Sequence, residues 1–230
     1  MKKFLLILAI VLLAINQSYA APTKSVATLD SWSTIPQNTL VVGATATISG
    51  NYQTLLAIDV AQTSTTLTTN GLHIIPQYST AASGDNNWTT IYGSTSYAPA
   101  PTTFGMVIFA ATTGTQATLT NNPAAAGTTV ITGTFPGCAQ KGNLIYIKDG
   151  TLANSELRII AGYTANISLT TETGTTNAHP QATPIWNQLA QQSLYIPDTA
   201  LRLRVIYDNT QDSAGSTFDV RSNLLQETGI

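Results

Sequence analysis

Charge is what this 230-residue chain has least of, with nine Lys and Arg and eleven Asp and Glu making up 9% of the residues. Proteins that hold nucleic acid by neutralising phosphates need a dense basic surface, and a sparse, net-negative chain argues against that partner. Anionic membrane surfaces are disfavoured on the same ground. Cysteine is reduced to Cys138, so no intramolecular disulfide can staple the fold. Histidine is limited to His73 and His179. Two histidines and one cysteine form no recognisable zinc set. There is no Gly-x-Ser-x-Gly elbow and no phosphate-cradling glycine motif, since Gly142 and Gly150 stand in ordinary turn contexts. With nucleophile and base unpaired, catalysis is not expected, nor is a cofactor.

The one long apolar run lies at the N-terminus. Lys2 and Lys3 precede Phe4 to Ile15, and a polar stretch ends Ser18, Tyr19, Ala20 before Ala21. Small residues at the minus-three and minus-one positions give this the form of a secretory signal peptide, residues 1–20. Twelve apolar residues are short of the roughly 20 that cross a bilayer, so no stable span is expected after cleavage. Removing Lys2 and Lys3 leaves seven basic residues against eleven acidic ones. The expected location is secreted, periplasmic or cell-surface.

What is abundant is β-forming. The apolar fraction is 43%, Thr is frequent, and Gly and Pro punctuate short runs of Val, Ile, Thr and Tyr. No stretch repeats apolar residues at helical spacing, so the chain reads as all-β. Strands are expected at 40–48, 54–60, 72–78, 88–92, 104–111, 128–132, 143–148, 156–163, 167–171, 200–207 and 217–225. Residues 94–103 are too proline-rich for a central strand and read as a loop. Asn70-Gly71 suits a tight hairpin joining 65–69 to 72–78.

Leu201, Leu203, Val205 and Tyr207 alternate with Arg202 and Arg204, while Phe218, Val220 and Leu224 oppose Asp219, Arg221 and Asn223. Paired through the loop 208–216, these strands would bring Arg202 or Arg204 near Asp219. Between 113 and 183 the strands shorten. The expected architecture is an antiparallel β-sandwich, jelly-roll or Ig-like, with a small β-barrel-like module inserted. Residues 21–112 and 184–230 would build the sandwich and 113–183 the insert; two consecutive sandwich domains are the rival.

Candidate sites are few. Asp85 in one Asx-rich stretch and Asp208 and Asp212 in another offer oxygens for calcium, although such turns exist without metal. Trp88 and Tyr92 share a strand face and could stack on a glycan, or belong to the core. Asn87-Trp88-Thr89 and Asn166-Ile167-Ser168 match glycosylation sequons. The densest charge lies in KGNLIYIKDGTLANSELRII, residues 141–160. It reads as a hairpin around Asp149-Gly150 with Lys148 across from Glu156 and its charges in water.

SGDNNWTTIYG at 83–93, KGNLIYIKDGTLANSELRII at 141–160 and TALRLRVIYDN at 199–209 together resemble β-sandwich structural proteins of tailed bacteriophages and environmental viruses, over most of the mature chain. That resemblance implies a virion surface or decoration role, from which the signal peptide departs. Three functions follow as expectations. One is an exported contact protein that self-associates or binds protein partners in a surface, matrix, filament or adhesion role. The others are a virion protein and a glycan-binding module. Intact-mass analysis of the exported protein is expected to place its first residue at Ala21; a chain retaining residues 1–20 overturns the leader reading.

Overall fold

A computed structural model describes residues 23–48, 52–68, 70–84, 87–91, 106–108, 116–119, 125–135, 140–164, 167–212 and 215–228. Among the described residues all regular structure is β apart from one short 3-10 turn at Leu152–Asn154. The first sheet contains β1 (Thr23–Ile35), β4 (Tyr52–Gln62), β14 (Leu189–Tyr195) and β16 (Phe218–Thr228), in the order β1-β16-β4-β14. The second contains β2 (Leu40–Val42), β15 (Arg202–Asp208), β5 (Leu72–Ser79) and β6 (Thr89–Thr90) in that order. Two short strands complete it: β3 (Ala46–Thr47) on β15 and β7 (Met106–Ile108) on β5. Every pairing is antiparallel.

Six further strands close on themselves. They are β8 (Gln116–Leu119), β9 (Val130–Thr134), β10 (Leu144–Ile147), β11 (Glu156–Thr164), β12 (Ser168–Thr171) and β13 (Pro184–Trp186). Each pairs with two neighbours in the ring β10-β11-β12-β9-β8-β13, so this small barrel has no open edge.

Three apolar clusters follow from strand alternation. Leu56, Ile58 and Val60 of β4 face Leu203, Val205 and Tyr207 of β15 across the sandwich, with Phe218, Val220 and Leu224 of β16 beside them. Ile145 and Ile147 of β10 point into the barrel with Ile131, Ile160, Leu169 and Ile185. Trp32, Ala61, Tyr146 and Trp186 form the third cluster, where the barrel lies against the outer face of the first sheet. Burying each large aliphatic or aromatic side chain contributes about 1.5–3 kcal/mol. Both faces of β10 are therefore dry, one in the barrel and the other at the seam.

Several sequence expectations change. β15 and β16 do not pair; they lie in opposite sheets with their apolar faces toward one another. The loop between them crosses the sandwich, because two strands with one dry face each can bury both by facing across a core. Arg202 and Arg204 thus sit far in the topology from Asp219. The Asn70-Gly71 hairpin is also absent: β4 ends in the first sheet and β5 begins in the second. Gly71 has φ 72°, and its N–H donates to Thr68 Oγ1 in a crossing loop. Four strands went unforeseen: β1, β8, β13 and β14. Residues 94–103, Asp85, Tyr92, Cys138 and Asn166 lie outside the described residues, as do residues 1–20.

Candidate functional site

The 141–160 segment does form a hairpin, but its register pairs Ile147 with Glu156. Lys148 is thereby released from Glu156 and turns with Tyr146 toward the first sheet. Its Nζ lies 3.0 Å from each oxygen of Asp219 on β16 and donates to Thr63 Oγ1 at 3.2 Å. Tyr146 donates its hydroxyl to Asp219 Oδ2 at 2.9 Å, and Thr34 of β1 donates to Oδ1 at 2.7 Å. Asp219 is fully buried, so its desolvation is offset by donors from several strands. Beside it, Arg221 holds Asp59 Oδ2 through Nε and Nη2 and stacks 4.8 Å above Trp32, while Gln191 donates to Asp59 Oδ1. Trp32 in turn meets Tyr146 with ring centroids 4.5 Å apart. This polar and aromatic seam joins barrel to sheet.

A second polar cluster contains His179, which the sequence left without a suggestive neighbour. The structure places it, fully buried, between two carboxylates. Nδ1 is 3.0 Å from Asp149 Oδ2 and Nε2 is 2.6 Å from Glu156 Oε1. The other Glu156 oxygen accepts from Arg158 Nη2 and from the Thr176 backbone N–H. Asp149 Oδ1 accepts from the Thr151 N–H, and the Asp149 N–H donates to Ser155 Oγ. Both carboxylates are buried, so this is not the wet side of a hairpin. One ring tautomer satisfies one of them; both are satisfied when both ring nitrogens carry hydrogen. With each nitrogen engaged and the ring enclosed, the imidazole ties the hairpin to the β12–β13 connection. No local motif announces this, because His179 is 23 residues from Glu156 and 30 from Asp149.

Of the other sequence candidates, Trp88, Asp208 and Asp212 fall among the described residues, and each contacts neighbouring groups. Trp88 is half-buried, with the guanidinium carbons of Arg202 and Arg204 at 4.8 and 4.2 Å from its ring centroid. Cation–π packing on this ring competes with sugar stacking there. His73 lies directly across from Asp208 between β5 and β15. Asp208 Oδ1 accepts from the Thr210 N–H and hydroxyl, and Asp212 Oδ2 accepts from the Ser216 N–H and hydroxyl. These are side-chain-closed turns of the kind Asx residues favour. Among the described residues, no three His, Cys, Asp or Glu gather as a metal-binding group, and no helix is long and apolar enough to cross a membrane.

On the first sheet's outer face the barrel covers only one end. Beyond it, the registers align Val26 with Leu225, Leu225 with Leu55, and Leu55 with Tyr195. One apolar row therefore runs across all four strands, and its ends are open: Val26 is 68% exposed and Tyr195 70%. Sequence reading missed it because each strand contributes one residue, and β1 and β14 were not foreseen.

Burial, and then the negative charge of Asp219, push the Tyr146 hydroxyl well above the ordinary 10.0; burial and Asp30 do the same for Tyr207. A proton held more tightly in the folded state stabilises it fully below pH 10. That contribution falls as pH rises past 10, by about 1.4 kcal/mol per pH unit for each tyrosine. Urea unfolding between pH 9 and 11 is expected to show a shallower decline in Tyr146→Phe than in the native chain. An unchanged slope counts against the assignment. Independently, His179→Ala leaves two buried carboxylates without their shared partner and is expected to cost about 3–5 kcal/mol in the same assay.

No known family model matches this chain, and no curated protein does. Among solved structures, one similar to it is the "infectious bursal disease virus VP2 subviral particle", 12% identical with a TM-score of 0.19 over 92% of this chain and 42% of that one. The chain thus spans less than half of that protein's length. Another is "VP17, a capsid protein of bacteriophage P23-77", 9% identical with a TM-score of 0.19 over 92% of this chain and 99% of that one. Both are too remote for any residue's role to be carried across.

Proposed function

We propose that this chain is an exported, non-catalytic structural protein that works by contact, chiefly between its own copies. The observation that carries the reading is the apolar row Val26–Leu225–Leu55–Tyr195, in register across a whole sheet and exposed at both ends. Isolated exposed apolar residues are ordinary, but an aligned row reaching two sheet edges is the kind of surface that proteins cover with a partner. The disposition of the ionisable groups supports the non-catalytic part. Asp219, Lys148, Asp149, Glu156 and His179 are engaged with one another or with backbone and hydroxyl groups, in networks that fasten barrel, hairpin and sheet. The low charge suits a surface whose contacts are made by apolar and amide groups.

Sedimentation velocity and negative-stain electron microscopy over a rising concentration series test the reading. The expected result is concentration-dependent association into discrete or extended assemblies. A strict monomer at every concentration overturns it.

A further inference from the structure

We infer that β14 is a self-docking edge, at which two copies pair antiparallel about a two-fold axis at Gln192 to make one eight-stranded sheet. This rests on the contact reading above and names the surface and the partner.

β14 is the outermost strand of the first sheet beside β4, pairing with it without a bulge from Leu189 to Tyr195. Its sequence, LAQQSLY, carries no charge and no proline. Natural sheets guard their edges with short strands, Lys, Pro or bulges. The other described sheet edges have such guards: β1 carries Lys24 and two register shifts, while β2 and β6 span three and two residues. β14 has none, and Gln191, Gln192, Ser193 and Tyr195 are exposed.

The backbone alternation fixes which residues can pair outward. Gln188 accepts from the Gln62 N–H at 3.0 Å, and the Ile196 N–H donates to Thr54 at 2.9 Å. Even-numbered residues therefore bond inward to β4, leaving the N–H and C=O groups of Leu189, Gln191, Ser193 and Tyr195 directed to the open side. A two-fold axis at Gln192 sets Leu189 against the second copy's Tyr195, and Gln191 against its Ser193, so those odd residues are the hydrogen-bonded pairs. The same register brings Ala190 beside Leu194 of the second copy on the inner face. The strand is thus close to a palindrome in chemistry: apolar meets apolar, amide meets hydroxyl, and the two Gln192 residues meet on the axis. The pairing extends the sandwich core, to which Ala190 and Leu194 already belong, and places the exposed Tyr195 ring against Leu189, part of the seam cluster. A heterologous partner strand has no reason to match this sequence in reverse.

Two variants of the full chain test the pairing. Ser193→Pro removes an outward N–H while sparing every bond to β4, which an edge strand tolerates. It is expected to abolish the dimer with the circular dichroism and melting temperature retained. In a Cys138→Ser background, Gln192→Cys places two thiols at a non-hydrogen-bonded antiparallel pair, where Cα atoms are about 4.5 Å apart and within disulfide range. Mild oxidation is expected to yield a covalent dimer there, whereas Ser25→Cys on β1 yields none. Unchanged association in folded Ser193→Pro, or cross-linking at Ser25 in place of Gln192, overturns the β14 inference and leaves the contact function standing. A native chain that never associates removes both.

Discussion

The buried carboxylate of Asp219 is the point on which the arrangement of the two β modules turns. It stands on β16 in the middle of the first sheet, where water cannot reach it, and its negative charge must be met by protein. Lys148 and Tyr146 come from the barrel, and Thr34 from the sheet's own edge strand. Because the donors belong to different elements, the barrel cannot turn on the sheet without uncovering a charge. Apolar packing of Trp32, Ala61, Tyr146 and Trp186 surrounds this contact and supplies area, while the polar network supplies direction.

The His179 cluster serves the barrel in a similar way at smaller scale. Closing a six-stranded ring leaves connections that must be held down, and the β12–β13 connection is held by a histidine reaching two carboxylates of the β10–β11 hairpin. A close approach of backbones assists it: a Cβ on Gly174 would lie 2.4 Å from the Gly127 carbonyl oxygen, so only glycine fits there. Asp219 and Lys148 are thus engaged in one network, and Asp149, Glu156 and His179 in the other. Among the described residues, the exposed side chains of β14 are amide, hydroxyl and aromatic.

Much of the strand content was legible because Val, Ile, Thr and Tyr runs alternate or form short apolar blocks. Leu72 to Tyr78, Asn143 to Lys148 and Glu156 to Tyr163 fall close to β5, β10 and β11. The missed strands have physical excuses. β1 is shifted in register at Thr28/Asp30 and Asp30/Ser33, which breaks its period of two. β13 has three residues, and β14 carries QQS at its centre because an edge strand there faces water. The polar clusters were illegible for a different reason. Lys148 finds Asp219 at a separation of 71 residues, a distance at which sequence carries no pairing signal without relatives to compare.

The sequence by itself determined the all-β class, the absence of disulfide staples, the scarcity of charge and the two-faced character of β15 and β16, since these depend on composition and on alternation within a strand. Tertiary structure alone decided that β15 and β16 lie in opposite sheets, that Lys148 serves Asp219 while Glu156 serves His179, and that four separate strands align one apolar row. A period of two tells which side chains share a face but not which strand lies beside it or what that face meets. Shifting one residue in the 141–160 hairpin was enough to turn an exposed ion pair into two buried networks.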